Sequence, residues 1–138
     1  MKPLPSTEDP LVIRTDFTDD AAWREIQRSI GAPVGDQGFL AHVTFVDDRA
    51  FDGADSDELL PLLTAARPFH GFAMLVDRMA ISAAEHPLLV LDLFEPGHAF
   101  RAIPATVQSI ENNLSISNMD FEEFAESVEA DGVFRGFA

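Results

Sequence analysis

Carboxylates at strand ends are the first residues in this sequence whose type and spacing could do chemistry. Three apolar runs finish in aspartate: LVIRTDF carries Asp16, FLAHVTFV is followed by Asp47 and Asp48, and FAMLV is followed by Asp77. If the three runs are parallel strands, their carboxyl ends share one edge of a sheet, where open α/β folds bind ligands. Carboxylates gathered there suit a hard cation such as Mg²⁺, which takes oxygen ligands and keeps water. Asp16, Asp47, Asp48 and Asp77 are therefore the candidate crevice, and Mg²⁺ is the cofactor they would serve. The competing use is structural, since aspartate at a strand end caps the next helix or closes a turn. That use is the commoner one, so no catalytic residue and no metal ligand is assigned. A phosphoacceptor receiver domain would also need a late lysine, and the chain has a single lysine, Lys2. A haloacid-dehalogenase-like phosphatase would need two aspartates spaced by one residue after the first strand, whereas Asp16 and Asp19 are three apart.

Asp92 stands inside the most apolar run, LLVLDLF. On a strand it shares a face with Leu88, Val90 and Phe94, so its carboxylate is expected to be covered. A covered carboxylate must be paired or protonated. Arg14 and Arg101, both in strand-like runs, are the available partners, and a structural ion pair is the expectation. The competing role is a catalytic acid with a raised pKa.

Other chemistries lack their residues. There is no cysteine, which removes disulfides, thiolate metal sites and thiol nucleophiles. With Lys2 in the lead-in, no lysine serves a Schiff base or a phosphate loop. His42, His70, His86 and His98 are not paired at metal-ligand spacing, and no HExxH occurs. His42 reads as a half-buried strand residue and the other three as loop residues. GxSxG, GxGxxG and GxxxxGK[ST] are also missing. The polar side chains of Glu111-Asn112-Asn113 and Ser117-Asn118 could orient a polar ligand; Ser117 and Asn118 read as helix ends, whereas Asn112 and Asn113 stand mid-helix as poor helix formers.

The elements that must hold these groups follow from periodicity. Residues 1–10, with three prolines, form a flexible lead-in, and residues 11–138 form one α/β domain. Strands are expected over Leu11–Phe17, Phe39–Val46, Phe72–Val76, Leu88–Phe94 and Ala99–Ile103. The first helix starts near Asp19 and runs to Ile30, with Ala22, Trp23, Ile26 and Ile30 as its apolar stripe. The second, capped by Ser56, carries Leu59, Leu60, Leu62 and Leu63 with Pro61 inside it. Thr106 opens a third, and Ser117 or Asn118 caps the last, whose Phe121, Phe124, Ala125 and Val128 share one face. Alternating βα units imply three parallel strands, and the Glu95–His98 turn adds an antiparallel hairpin at the end. The resulting mixed five-stranded sheet has helices on both faces and the order 2-1-3-4-5. Pro104 marks the fifth strand as an edge.

Composition bounds the partners. A net charge of −15 and a pI near 4.3 oppose binding to nucleic acid and to anionic membranes. No apolar run reaches signal-peptide or membrane-spanning character, so the expected compartment is the cytoplasm. The expected assembly is a monomer or weak dimer. Acids dominate the last helix and its surroundings, and Glu122, Glu123 and Glu126 form a candidate docking face for a basic protein, with Phe134 or Phe137 as its apolar anchor.

LVIRTDFTDDAAW and FRAIPATVQSIENNLSISNMDFEEF, together with FAMLVDRMAI, HPLLVLDLFEPG and DGVFRGF, resemble an uncharacterised bacterial family of small stand-alone proteins, a domain of unknown function. The resemblance covers nearly all the chain from Leu11. It implies a single domain and transfers no activity, cofactor or catalytic residue. The leading expectation is thus a non-catalytic binding module, of inhibitor or immunity type, that docks a basic partner. Its rivals are a small metal-assisted hydrolase and a small-molecule sensor using the crevice.

Overall fold

The computed structural model describes residues 2–66 and 71–137. His70 falls outside them. The elements run β1 (Leu11–Arg14), α1 (Asp20–Gly31), β2 (Thr44–Val46), a 3-10 turn (Arg49–Phe51), α2 (Ser56–Ala66), β3 (Phe72–Val76), α3 (Arg78–Ser82), β4 (Leu88–Asp92), β5 (Ala99–Ala102), a second 3-10 turn (Pro104–Thr106), α4 (Val107–Ser115), α5 (Phe121–Ala125) and β6 (Val133–Phe134). The strands form one six-stranded sheet in the order β2-β1-β3-β4-β5-β6. β1 lies parallel to both β2 and β3, β4 is antiparallel to β3 and to β5, and β6 is parallel to β5. The expected order holds for the first five strands, and the sheet has one strand more.

Connection length explains the change of direction at β4. Residues 77–87 contain only the short α3. A parallel return needs a crossover of about a dozen residues or more, so the chain turns back antiparallel.

Two apolar layers sandwich the sheet. On one face Val12, Met74, Val76, Leu88, Val90 and Phe100 pack against α1, α3, α4 and α5. On the other, Leu11, Ile13, Ala73, Leu75 and Leu91 pack against Phe51 and α2. The buried residues of α1 are Ala22, Trp23, Ile26 and Ile30, the stripe its spacing requires. Each large apolar side chain so buried contributes about 1.5–3 kcal/mol. Asp19 starts this helix by accepting the Ala22 amide. In α2 the cap is Asp55 rather than Ser56, because Asp55 and Glu58 exchange side-chain-to-amide bonds at 2.9 and 3.3 Å.

Several boundaries differ from expectation for local reasons. β2 starts only at Thr44, whose amide bonds the Pro10 carbonyl at 2.9 Å. Pro10 offers no N–H, so the ladder stops there and residues 39–43 leave the sheet. Phe39 and Leu40 are exposed, as is His42. The His42 amide is held by Glu111 Oε1 at 2.7 Å. β5 is not an edge. Its Arg101 and Ile103 amides donate to Gly132 and Phe134 carbonyls at 3.2 Å each, and Pro104 lies just beyond that pairing. The last helix is shorter than its apolar period suggests and is capped by Asp120, not by Ser117 or Asn118. The lead-in is tied down: Leu4 is buried with the α2 layer, and Ser6 Oγ donates to the Ala66 carbonyl at 3.1 Å. Among the described residues no helix is long and apolar enough to cross a membrane.

Candidate functional site

The sheet offers a cleft at each end. The first is the crevice where β1 and β3 end and the chain departs in opposite directions, a switch point of the kind that binds ligands. It encloses about 420 Å³ and is bordered by Thr15, Asp16, Asp55, Ser56, Asp77 and Arg78, among others. Asp16 and Asp77 border this crevice and Asp47 and Asp48 are not among its lining residues; each of the four has a structural task. Asp16 Oδ1 accepts from the Thr18 amide at 3.0 Å and the Thr18 hydroxyl at 2.5 Å. Asp47 accepts from Arg14 Nη1 at 3.3 Å. Asp48 caps the first 3-10 turn and pairs with Lys2; the Lys2 ammonium and then the Ala50 amide hold its carboxyl below the usual range. Asp77 caps α3 through the Ala80 amide and receives a two-pronged pair from Arg101, both bonds at 2.8 Å. Burial pushes the Asp77 carboxyl up, but the Arg101 bonds and the cap outweigh it and leave the group below its ordinary value. Among the described residues, Asp16, Asp47 and Asp77 do not bring their oxygens within 4.8 Å of one another.

The expected pairing of Asp92 with Arg14 or Arg101 is not formed. Arg101 is committed to Asp77 and also donates to the Pro87 carbonyl at 3.0 Å. Arg14 is buried on β1, far along the sheet. Its guanidinium lies over the Phe17 ring at 4.3 Å and near Trp23 at 5.5 Å, bonds Asp20 at 2.5 Å, and donates from Nε to the Asp16 carbonyl at 3.1 Å. Both arginines project at the carboxyl ends of β1 and β3. Asp92 ends an antiparallel strand and therefore sits at the opposite end, opposite Phe72 in register. Strand direction is what separates them.

Asp92 builds the second cleft. It is 6% exposed. Its Oδ1 accepts from the Phe94 amide at 2.9 Å and the Glu95 amide at 3.1 Å, which bends the chain out of β4 two residues earlier than its apolar run suggests. The Asp92 amide donates to the His98 carbonyl at 3.0 Å and closes the turn. Leu93 donates to the Gly71 carbonyl at 2.8 Å. Phe94, thrown outward by this turn, is 79% exposed. Its ring lies over Gly71, where φ is +68° and a Cβ would collide with the ring. Beneath Phe94 opens a cavity of about 340 Å³, bordered by Asp92, Leu114, Met119, Asp120, Phe121 and Glu123, among others.

The rim comes from α5 and the turn before it. Ser117 adopts a left-handed backbone, φ 56°, and the Asn113 carbonyl accepts the Asn118 and Met119 amides at 3.0 and 3.2 Å. The Asn113 side chain braces the same turn: its Oδ1 accepts from Asn118 Nδ2 and its Nδ2 donates to the Ser109 carbonyl, both at 2.8 Å. Asp120 and Glu123 form a reciprocal capping box. Glu122, Glu123 and Glu126 are all exposed, as a docking face requires. Of the two expected anchors Phe137 is exposed and Phe134 is not. Phe134 is fully buried in β6. Phe137, half exposed, rests against Phe124 at 5.5 Å and Phe134 at 5.0 Å. Phe94 is the exposed aromatic beside the acids. Its position inside an apolar run conceals it, and only the aspartate two residues earlier hints at the bend.

Most cations are used internally. Lys2, Arg14, Arg28, Arg101 and Arg135 each pair with carboxylates. Arg135 alone gathers Glu85, Glu129 and Asp131; those bonds raise its own pKa and lower those of Glu85 and Asp131. The acids around Phe94 receive no arginine or lysine among the described residues.

No curated protein matches the chain. A family model described as a domain of unknown function matches residues 9–137, so the chain belongs to the DUF6924 family.

Proposed function

We propose that this protein is a non-catalytic binding module that docks a basic partner at the Phe94 end of its sheet. The observation that carries this reading is Phe94 itself, an aromatic ring 79% exposed at the mouth of a cavity. Asp92, Asp120 and Glu123 border the same cavity, and Glu95 and Glu122 lie next to Phe94 and Glu123 in the chain. Exposed aromatic anchors ringed by charge of one sign supply binding energy at the centre and steering at the rim. A lysine or arginine side chain entering the cavity would meet the Asp92 carboxylate at its base. Such a module could act by covering a basic surface, as an inhibitor does.

The reading can be tested with a short peptide alternating arginine and leucine, titrated into isotope-labelled protein and followed by NMR. Shifts confined to residues 92–98 and 117–123, lost in Phe94→Ser and suppressed by added salt, are expected. Shifts spread evenly over every acidic surface would count against a dedicated site.

A second reading is supported by the switch-point crevice, whose volume and polar border suit a small polar molecule. A metal-assisted hydrolase there would need convergence of Asp16, Asp47 and Asp77, and each is engaged elsewhere.

A further inference from the structure

We infer that Asp92, Glu95 and His98, joined by Glu122 from α5, form a site for a divalent transition metal such as Zn²⁺. The inference shares Asp92, Glu95 and Glu122 with the docking reading but does not rest on it, since it needs no partner protein and is tested with the metal alone.

Three carboxylates converge on one imidazole nitrogen. His98 Nδ1 lies 2.9 Å from Glu95 Oε2, 3.7 Å from Glu122 Oε2 and 3.9 Å from Asp92 Oδ2. The ligand atoms of Asp92, Glu95 and His98 all fall within 4.8 Å of one another, the one such set among the described residues. Ligands about 2.0–2.2 Å from a tetrahedral Zn²⁺ are roughly 3.3–3.6 Å apart. The three distances to Nδ1 bracket that spacing; Glu122 lies outside the mutually close set and would turn in as the fourth ligand.

The site is built around a fixed member. The Asp92 side chain is 7% exposed, and its Oδ1 is clamped by two backbone amides. Among the described residues Oδ2 accepts no hydrogen bond, and it is the oxygen that faces the imidazole. Backbone clamping of a ligating carboxylate is the kind of support that orients metal ligands. The other three side chains are about half exposed or more and free to adjust. A small cavity of about 90 Å³ borders Asp92 and His98, with room for coordinated water.

Charge gives the second argument. One imidazole faces three carboxylates, an excess of negative charge. A dication removes that excess. The imidazole ligand directs the choice of ion, because nitrogen donors favour Zn²⁺, Ni²⁺ or Cu²⁺ over Mg²⁺ and Ca²⁺.

Calorimetric titration of the full chain with Zn²⁺ tests this. One ion per chain is expected, with affinity at least tenfold above that for Mg²⁺. Because the His98 ring is half exposed, His98→Ala should fold like the parent while losing at least tenfold in Zn²⁺ affinity. Asp92→Asn should lose a similar factor, and Glu126→Gln, an acid outside the set, should lose nothing. Co²⁺ as the probe should give visible absorption bands that vanish in His98→Ala. Zn²⁺ uptake unchanged in His98→Ala, equal affinity for Mg²⁺, or no uptake at all would each overturn the inference.

Discussion

Asp92 turns the chain, and the energetic consequence is modest. No arginine pairs with it among the described residues, so the loss of about 3–5 kcal/mol expected for breaking a buried ion pair does not apply. Asp92→Ala instead frees two amides, as loss of a helix cap does, and should cost about 1–2 kcal/mol in urea denaturation. Asp92→Asn keeps an acceptor for both amides and should cost less. A loss near 4 kcal/mol, the range for a broken buried pair, would mean that a partner charge is stranded after all. Asp77 is the residue where a charge pair does stabilise. Its bonds to Arg101 and to the Ala80 amide lower its folded pKa, so their contribution is complete above the unfolded carboxyl pKa, which is near 3.8. It is lost as pH falls below that value through the folded one. Asp77→Asn should cost about 1.5–3 kcal/mol at neutral pH. The difference between variant and parent should shrink below about pH 4 in acid-melting curves, and a difference that grows there would reverse the assignment.

Elements with strong periodicity are legible in the sequence. The α1 stripe, the first five strands in order and the helices on both faces all follow from apolar spacing, connection length and the handedness of crossovers. What escapes has physical causes. β6 is two residues long and has no period to detect. Residues 39–43 alternate like a strand, but the ladder ends where Thr44 bonds Pro10, which has no N–H to extend it, and Phe39 pairs with Val34 instead. Phe94 belongs to an apolar run that a side-chain hydrogen bond cuts short at Asp92. The strand-end aspartates stand out in the sequence and their caps on Thr18, Ala50 and Ala80 are local, but their ion pairs with Lys2, Arg14 and Arg101 join residues distant in sequence. The cluster of Asp92, Glu95 and His98 stays hidden because its histidine stands alone, and only the hairpin folds it onto the acids. At this scale Phe124 is the pivot. It contacts Phe100 and Phe134 at 6.4 and 5.3 Å and fixes α5 against the sheet. Phe124→Ala should cost about 3–5 kcal/mol. Hydrogen exchange should show α5 and β6 opening together before β1 or β3, and loss of protection first in β1 would contradict this.

Across the whole molecule the charge is lopsided, with 24 acids against nine lysines and arginines. Internal pairing absorbs much of the positive charge, and among the described residues no arginine or lysine pairs with the acids around Phe94. Their field should speed association with a basic partner and should weaken as salt shortens its reach to about 8–10 Å near physiological strength. Glu122→Lys with Glu126→Lys reverses exposed charge without touching the capping box that Glu123 completes. The pair should slow association several-fold while leaving the melting temperature within a few degrees. Equal slowing of dissociation, with association untouched, would place the contacts elsewhere.

The claim that the Phe94 end is the docking face is tested most directly by covalent capture at that position. A photoreactive phenylalanine analogue placed at residue 94 should crosslink one predominant basic protein in the native host. The same analogue at residue 39, an exposed phenylalanine position beyond the end of the sheet pairing, should not. Crosslinks to that protein that disappear at high salt, and in the Glu122→Lys and Glu126→Lys background, are the result expected. Capture at residue 94 no greater than at residue 39, or capture of unrelated proteins indifferent to salt, would contradict it.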